Sequence, residues 1–475
     1  MVPLGPHEPA APCWGVRSFP PGGSGGPSGL RPQHLLDCLR SDVPGGGTQL
    51  LEGLLTFTSA AMAGGLEPAA VRILCGARLV PLRKPDGGVR PIAVGDTLRR
   101  VVAKWCGQQP GAKALARGLE PLQVAFVKGG PCEVLGMGAR ELVRVMGEEE
   151  WAEPWGLLQV DISNAFHTVR REAVLAKLRE AAPSVLPWVR ATMQPAALYC
   201  GDSVLRSAQG VQQGDPLGPL LFACALDAVL RKLPRGCRLN KWYLDDGALF
   251  GPVSVLHEAL VTLRRELPTL GLALNMRKTT LWGPELGPES TTWQPPEHSP
   301  LGDVTRLNWE GGTTLLGVPV DAPRSNTQTE KHLDTIGRKF ADLVEKVGGL
   351  ADPQCAQALL RACLGPGKVL YALRTCDVFA GAGDFVSRVG LEHRRAFEGV
   401  VGSAISDAAW LQAGLPLRLG GCGIGGVEEL APVARLAAIL QFELVFVGAE
   451  SSAPTIACKP IRFGSLVARL LQIPT

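Results

Sequence analysis

The chain contains no C-x-x-C pair, although thirteen cysteines are scattered from Cys13 to Cys458. An odd count at irregular spacing supports neither a disulfide framework nor a four-ligand zinc site, so reduced thiols are expected. Long apolar runs are missing too. The stretch 436–449 is broken by Gln441 and Glu443 and is too short to span a bilayer. The N-terminus lacks a basic segment followed by an apolar core, which argues against a secretory signal. The seven histidines form no i, i+4 pair, which removes a zincin-type site. Collagen period, heptad run and internal repeat are absent. Charge of one sign is scarce as well: the net value is only +4, too mild to indicate nucleic-acid binding by itself. These absences point to an intracellular, soluble protein and leave nucleus versus cytosol open.

What remains is an apolar chain able to build a core. Hydrophobic residues reach 46% and mean hydropathy is +0.13, which excludes a disordered, charge-rich polymer. A length of 475 residues suggests two or three lobes. The glycines and prolines cluster near the N-terminus and over 283–323, and read as linkers and loops; PPGGSGGPSGL at 20–30 reads as a flexible one. Pro32 opens a helix through Leu35, Leu36 and Leu39, and further helices are expected over 48–63, 97–106, 133–146 and 170–181. Residues 76–95 read as a β-hairpin around Pro85-Asp86-Gly87-Gly88. A strand over 156–160 ends at Asp161, and a strand-like stretch at 197–205 leads to the 210–218 loop and an apolar helix over 219–233. Asp245-Asp246-Gly247 sits between two apolar strands as a hairpin tip. Leu256, Leu260, Leu263 and Leu267 line one face of a helix over 255–267. Residues 272–274 and 315–318 read as short strands, and helices dominate beyond 325. The order predicts an α+β domain followed by a helical lobe.

Asp161 at a strand end and Asp245-Asp246 at a hairpin tip form the most informative group. Consecutive strand residues point to opposite faces, so only one tip aspartate aims straight at Asp161 and the other assists from the turn. Carboxylates on neighbouring strands make an oxygen-only site of the kind Mg²⁺ prefers. Two ions about 3.5–4 Å apart would activate an attacking hydroxyl and stabilise a leaving phosphate oxygen. Taken singly, Asp-Asp-Gly is an ordinary turn and Asp161 a helix cap. The ordered series strand–Asp161, GVQQGDPLGPLLF, then YLDD between strands is what singles them out.

The series resembles reverse transcriptases, most closely those of retrotransposons without long terminal repeats. VDISNAF, QGDPLGPLLF and YLDDGALF resemble the first three palm motifs, LNMRKTTL the fourth and LLGVPV the primer grip. ARLVPLRKPDGGVRPIAV resembles the fingers hairpin, SGGPSGLRPQHL the element before it, and GLPLRLGGCGIGG a stretch beyond the thumb. The resemblance covers roughly residues 17–445. It implies a right-hand polymerase fold: an N-terminal segment and helical extension over 1–70, fingers and antiparallel-sheet palm over 71–320, and a helical thumb and C-terminal region over 321–475. It further implies RNA-directed DNA synthesis with two Mg²⁺ ions, Mn²⁺ being the alternative, on an RNA template with a DNA primer and deoxynucleoside triphosphates.

The resemblance also assigns roles. Asp161, Asp245 and Asp246, with the carbonyl of Ile162, would hold the metals. Asn164 and Ala165 would meet the triphosphate, and Phe166 would exclude a 2′-hydroxyl; a buried core aromatic is the lesser alternative for Phe166. Gln213 and Gly214 would contact nucleotide and template, Lys84 and Arg90 the triphosphate, and Lys278 would donate a proton to pyrophosphate. Residues 72–117 carry ten Lys or Arg against Asp86 and Asp96, as a phosphate-holding fingers lobe requires. Ser28 departs from the pattern, standing where relatives carry aspartate. His167 receives no role, and GCGIGG at 421–426 reads as a glycine turn. The expected chain is a polymerase core without an upstream apurinic-type endonuclease, a Cys/His knuckle, a restriction-like endonuclease or an RNase H series. Competing readings are a catalytically silent RNA-binding or splicing-assistance protein on the same fold and an RNA-templated RNA polymerase. The intact carboxylates argue against the silent binder, and YLDD with Phe166 argues against the RNA polymerase.

Overall fold

A computed structural model describes residues 15–446 apart from 21, 41–44, 85–86, 128, 148–150 and 379–382. Cys13, Cys458, the end of the 436–449 stretch, and Pro85 and Asp86 of the expected turn lie outside the described residues. Helices α1 (Pro32–Arg40), α2 (Gly46–Met62) and α3 (Pro68–Cys75) lead into the hairpin β1 (Ala77–Arg83) and β2 (Val89–Gly95). Helices α4 (Thr97–Gln108), α5 (Pro110–Gly118) and α6 (Pro131–Met146) precede strand β3 (Trp155–Val160). Then come α7 (Arg171–Ala181), α8 (Leu186–Thr192), β4 (Ala196–Cys200), β5 (Ser203–Ser207), α9 (Gly218–Leu230), β6 (Leu239–Tyr243), β7 (Asp246–Pro252) and α10 (Val253–Glu266). Short strands β8 (Thr280–Trp282), β9 (Thr305–Arg306), β10 (Thr313–Leu315) and β11 (Val318–Val320) close the sheet-forming part. The helical lobe holds α11 (Thr327–Gly348), α12 (Pro353–Ala362), α13 (Leu370–Thr375), α14 (Gly383–Val401), α15 (Asp407–Gly414) and α16 (Val427–Phe446).

The central sheet runs β6-β7-β3-β8-β9, antiparallel except for its β8–β9 edge. Pleating sorts β3 between two cores. Leu158 and Val160 face the largely apolar α9, together with Leu256, Leu260 and Leu263 of α10 and Leu267 just after it. Trp155 and Leu157 face the other way, onto Leu135, Ala139 and Leu142 of α6 and onto Leu315 and Val320 of the β10–β11 hairpin. A second sheet, β2-β1-β4-β5, carries the cationic hairpin. The helical lobe has its own core, including Leu333, Phe340, Leu360, Val389 and Phe397. It docks through Ile439 and Phe442 against Val134 and Met137 of α6. Among the described residues no helix is long and apolar enough to cross a membrane, and the described cysteines are free thiols.

Five expectations change. The 20–30 run is packed rather than free. Ser28 Oγ bonds the Asp96 carboxylate, Arg100 donates to the Ser24 carbonyl, and Phe19 is buried beneath Arg100 and Lys104. Its glycines serve close approach: a Cβ on Gly26 would lie 2.6 Å from the Asp96 backbone. The 283–323 stretch contributes Leu286, Leu301 and Val304 to the main core. Residues 315–318 are not one strand but the turn of the β10–β11 hairpin, since Leu316 and Gly317 take φ 49 and 81. Residues 197–205 likewise fold back at 201–202, and 272–274 make only an isolated bridge, Ile162 to Leu274. Helices α3 and α5 carried no expectation; each begins on a proline, which is well suited to a first helical turn.

Candidate active site

The register of the central sheet builds the site. Val160 pairs with Gly247 across β3 and β7, so the next pair beyond the ladder is Asp161 with Asp246. Both continue the face of Leu157 and Gln159, past the point where Gln159 bonds Thr313 at 2.8 Å. Tyr243 pairs with Asp246, which leaves Leu244 and Asp245 as a two-residue turn. Asp246 is therefore the pleat neighbour of Asp161, and Asp245 joins from the turn.

The three aspartates and Ile162 line a cavity of about 660 Å³. Asn164, Ala165 and Phe166 continue its wall after Asp161; Asn164 opens that turn at φ 46, a left-handed conformation asparagine tolerates. Phe166 is half-buried and stacks on Phe222, centroids 4.9 Å apart, so the two readings of this ring meet in one residue with a core face and a cavity edge. From the second sheet, Lys84 and Arg90 complete the opposite wall. Gln213 and Gly214 close it beside them. The Gln213 carbonyl accepts from the Ala93 amide at 2.9 Å, and Gly214 takes φ 119 where a Cβ would lie 2.6 Å from the Ala93 carbonyl. That loop is anchored by buried Arg99, which pairs with Asp215 at 2.7 Å and bonds Gln212. Lys278 enters on the 273–279 loop, which is stitched to the Asp161 segment by Asn275 N–H to Asp161 O and Ser163 N–H to Ala273 O. Every residue chosen from the sequence thus lines one cavity, and His167, Ser163 and Asn275 join them without having been assigned a role.

Electrostatics single out the same carboxylates. Although Asp246 stays open to the cavity, desolvation by the surrounding protein, then the charges of Asp245 and Asp161, push its carboxyl up to about 6, against the pull of Arg90. Asp245 is raised by burial and by Asp161, with its own backbone N–H and Arg90 opposing. Among the described residues no three acidic, His or Cys side chains gather into a metal-holding group. The three aspartates therefore share the cavity without forming a closed protein cage. The donor set still fits Mg²⁺. The oxygens are carboxylate, they repel one another, and this ion takes one or two carboxylates plus waters and substrate phosphates rather than an all-protein cage.

Sequence reasoning missed Gln123. It is fully buried, and its amide donates to the Leu244 carbonyl at 2.9 Å and accepts from the Leu244 N–H at 3.0 Å. Its only trace in the sequence is a polar residue inside the apolar run 122–127.

A retrovirus-related Pol polyprotein from type-1 retrotransposable element R2 of Nasonia vitripennis is 37% identical over 82 residues, 16% of this chain and 8% of that protein. The retrotransposable element SLACS 132 kDa protein of Trypanosoma brucei gambiense is 23% identical over 370 residues, 75% of this chain and 29% of that protein. The chain thus spans less than a third of either relative's length. Among solved structures, telomerase from Candida albicans in complex with a TWJ fragment of telomeric RNA aligns over 86% of this chain and 66% of that one, at TM-score 0.45 and 12% identity. Residues 82–320, which contain the whole cavity, match the reverse transcriptase (RNA-dependent DNA polymerase) family, and the chain belongs to that family.

Proposed function

We propose that the chain is the polymerase core of a retrotransposon-type element and extends a DNA primer along an RNA template with deoxynucleoside triphosphates. The observation that carries this reading is the single cavity shared by the carboxylates, the Lys84–Arg90 wall and the Phe166 edge. In this reading residues 71–320 are fingers and palm, and 321–475 are thumb and following helices. Lys84 and Arg90 hold the triphosphate, as a point charge and a planar fork. Asn164 and Ala165 present backbone to it, Gln213 and Gly214 flank base and template, and Phe166 packs under a deoxyribose. The primer 3′-hydroxyl gives up its proton to solvent water as its oxygen forms a new bond to the α-phosphorus. The α–β bridging bond breaks, and pyrophosphate leaves with that electron pair and takes a proton from Lys278. Asp161, Asp245, Asp246 and the Ile162 carbonyl would hold two Mg²⁺ or Mn²⁺ ions, whose chemistry is Lewis-acid stabilisation of the attacking and leaving oxygens.

The test is extension of a DNA primer annealed to RNA, with deoxy- or ribonucleotides and with or without Mg²⁺. Deoxynucleotide addition that needs the metal is expected. Tight binding of the duplex without any extension would instead favour the silent RNA-binding protein.

A further inference from the structure

The turn that carries the aspartates is held in a conformation its own residues do not favour. Leu244 takes φ 58, a left-handed backbone that a leucine rarely adopts unless something holds it. We propose that Gln123 is a positioning residue that locks Leu244 in this conformation and thereby aims Asp245 and Asp246 into the cavity; the inference rests on the polymerase reading above. The Gln123 amide engages both backbone groups of Leu244, at 2.9 and 3.0 Å, from a side chain that is itself fully buried. Its base is fixed as well. The Leu122 carbonyl accepts from Trp242 N–H at 2.7 Å, Lys241 Nζ reaches the Pro121 carbonyl at 2.8 Å, and Gln123 bridges Trp242 in parallel register. On the far strand, the Trp242 ring lies against Gly247, where a Cβ would come within 2.6 Å of it. Both strands beside the turn are thus anchored, and the amide fixes the Leu244 backbone between them. Hydrogen-bonding capacity decides the choice of residue: only a side chain that both donates and accepts satisfies an N–H and a carbonyl together.

The first measurement is hydrogen exchange of the 241–247 segment in the unaltered chain. The Leu244 amide is expected to exchange as slowly as the central strands; exchange as fast as exposed loops overturns the proposal. The second is Gln123→Met, which keeps length and loses both hydrogen bonds. Exchange should quicken over 241–247 alone, kcat should fall by about a hundredfold as for a misaligned reacting group, and KM for deoxynucleotide and affinity for primer–template should stay within about threefold. The third is the double variant Gln123→Met with Leu244→Asn. Asparagine accepts the left-handed conformation, so it should restore about a tenth or more of the lost kcat. An unchanged kcat in Gln123→Met contradicts the proposal. So does faster exchange throughout the protein with no rescue by Leu244→Asn, which would make Gln123 merely structural. If Gln123→Met does not fold, exchange in the unaltered chain still decides. Failure of the unaltered chain to extend any primer would sink the polymerase reading while leaving the exchange result to judge the clamp.

Discussion

Two hairpins close on a leucine in the left-handed conformation, and they are held in opposite ways. In β6–β7, Leu244 at φ 58 is clamped by Gln123, a residue of the sheet's own surroundings, through both its N–H and its carbonyl. In β10–β11, Leu316 at φ 49 is followed by Gly317 at φ 81, and its carbonyl accepts from the Tyr371 hydroxyl at 2.7 Å. Tyr371 belongs to α13 in the helical lobe. The turn bearing the aspartates is therefore set without reference to the helices, whereas the hairpin resembling a primer grip is tethered to them. Arg140 reinforces that tether by donating to the carbonyls of Pro319 and Thr375, as does Arg374 through its pair with Glu133 at 2.7 Å. The two turns are thus fixed by different side chains, and each can be broken alone.

Breaking the first hairpin at its tip should have the largest effect. Asp245→Ala should reduce primer extension by about 10³-fold or more, the upper end for one lost charge-stabilising group. Primer–template affinity, measured by fluorescence anisotropy, should stay nearly unchanged, because phosphate contacts from the basic lobe supply it. Next comes Phe166→Val. Its ring is part core and part cavity edge, so relief of the clash should shift the ribo- to deoxynucleotide preference by about 10–100-fold, measured as the ratio of kcat/KM values. An unchanged ratio with a large drop in Tm would return Phe166 to the core.

Acid should sharpen the contrast between the two lobes. His393 is buried between Phe340 and Trp410, one ring nitrogen bonds the Leu360 carbonyl, and Nε2 has no partner among the described residues. Burial lowers its pKa to about 4. The unfolded chain therefore binds the extra proton first, and stability is lost as pH falls from about 6.5 towards 4, by up to about 3 kcal/mol. Exchange in α14 should quicken over that window before exchange in the central sheet, and His393→Leu should flatten the dependence. The smallest effect is expected from Tyr371→Phe, which unties the second hairpin. It should cost about 0.5–1.5 kcal/mol in thermal unfolding and shorten the products made per binding event, while addition of a single nucleotide continues at nearly the original rate.

The cavity was legible in the sequence because its residues are local: Asp161 through Phe166, the 213–214 loop and the hairpin tip each carry chemistry within a few positions. The two tethers were not. Gln123 reaches Leu244 across 121 residues and Tyr371 reaches Leu316 across 55, and neither spacing leaves a periodicity. The 20–30 segment misled for a related reason, since glycine signals equally a free chain and a backbone pressed close, as Gly26 is against Asp96. Residues 315–318 read as a strand because Leu315, Leu316 and Val318 are apolar, whereas the backbone reverses between them.

The most direct test of the central claim replaces Mg²⁺ by Fe²⁺ and adds ascorbate and peroxide, so that hydroxyl radicals cut the backbone beside any bound ion. Cuts are predicted near residues 161–162 and 244–246, suppressed by excess Mg²⁺ and lost in Asp245→Ala. Cleavage elsewhere, or none at these two segments, would contradict the assignment of the cavity as the metal-dependent polymerase site.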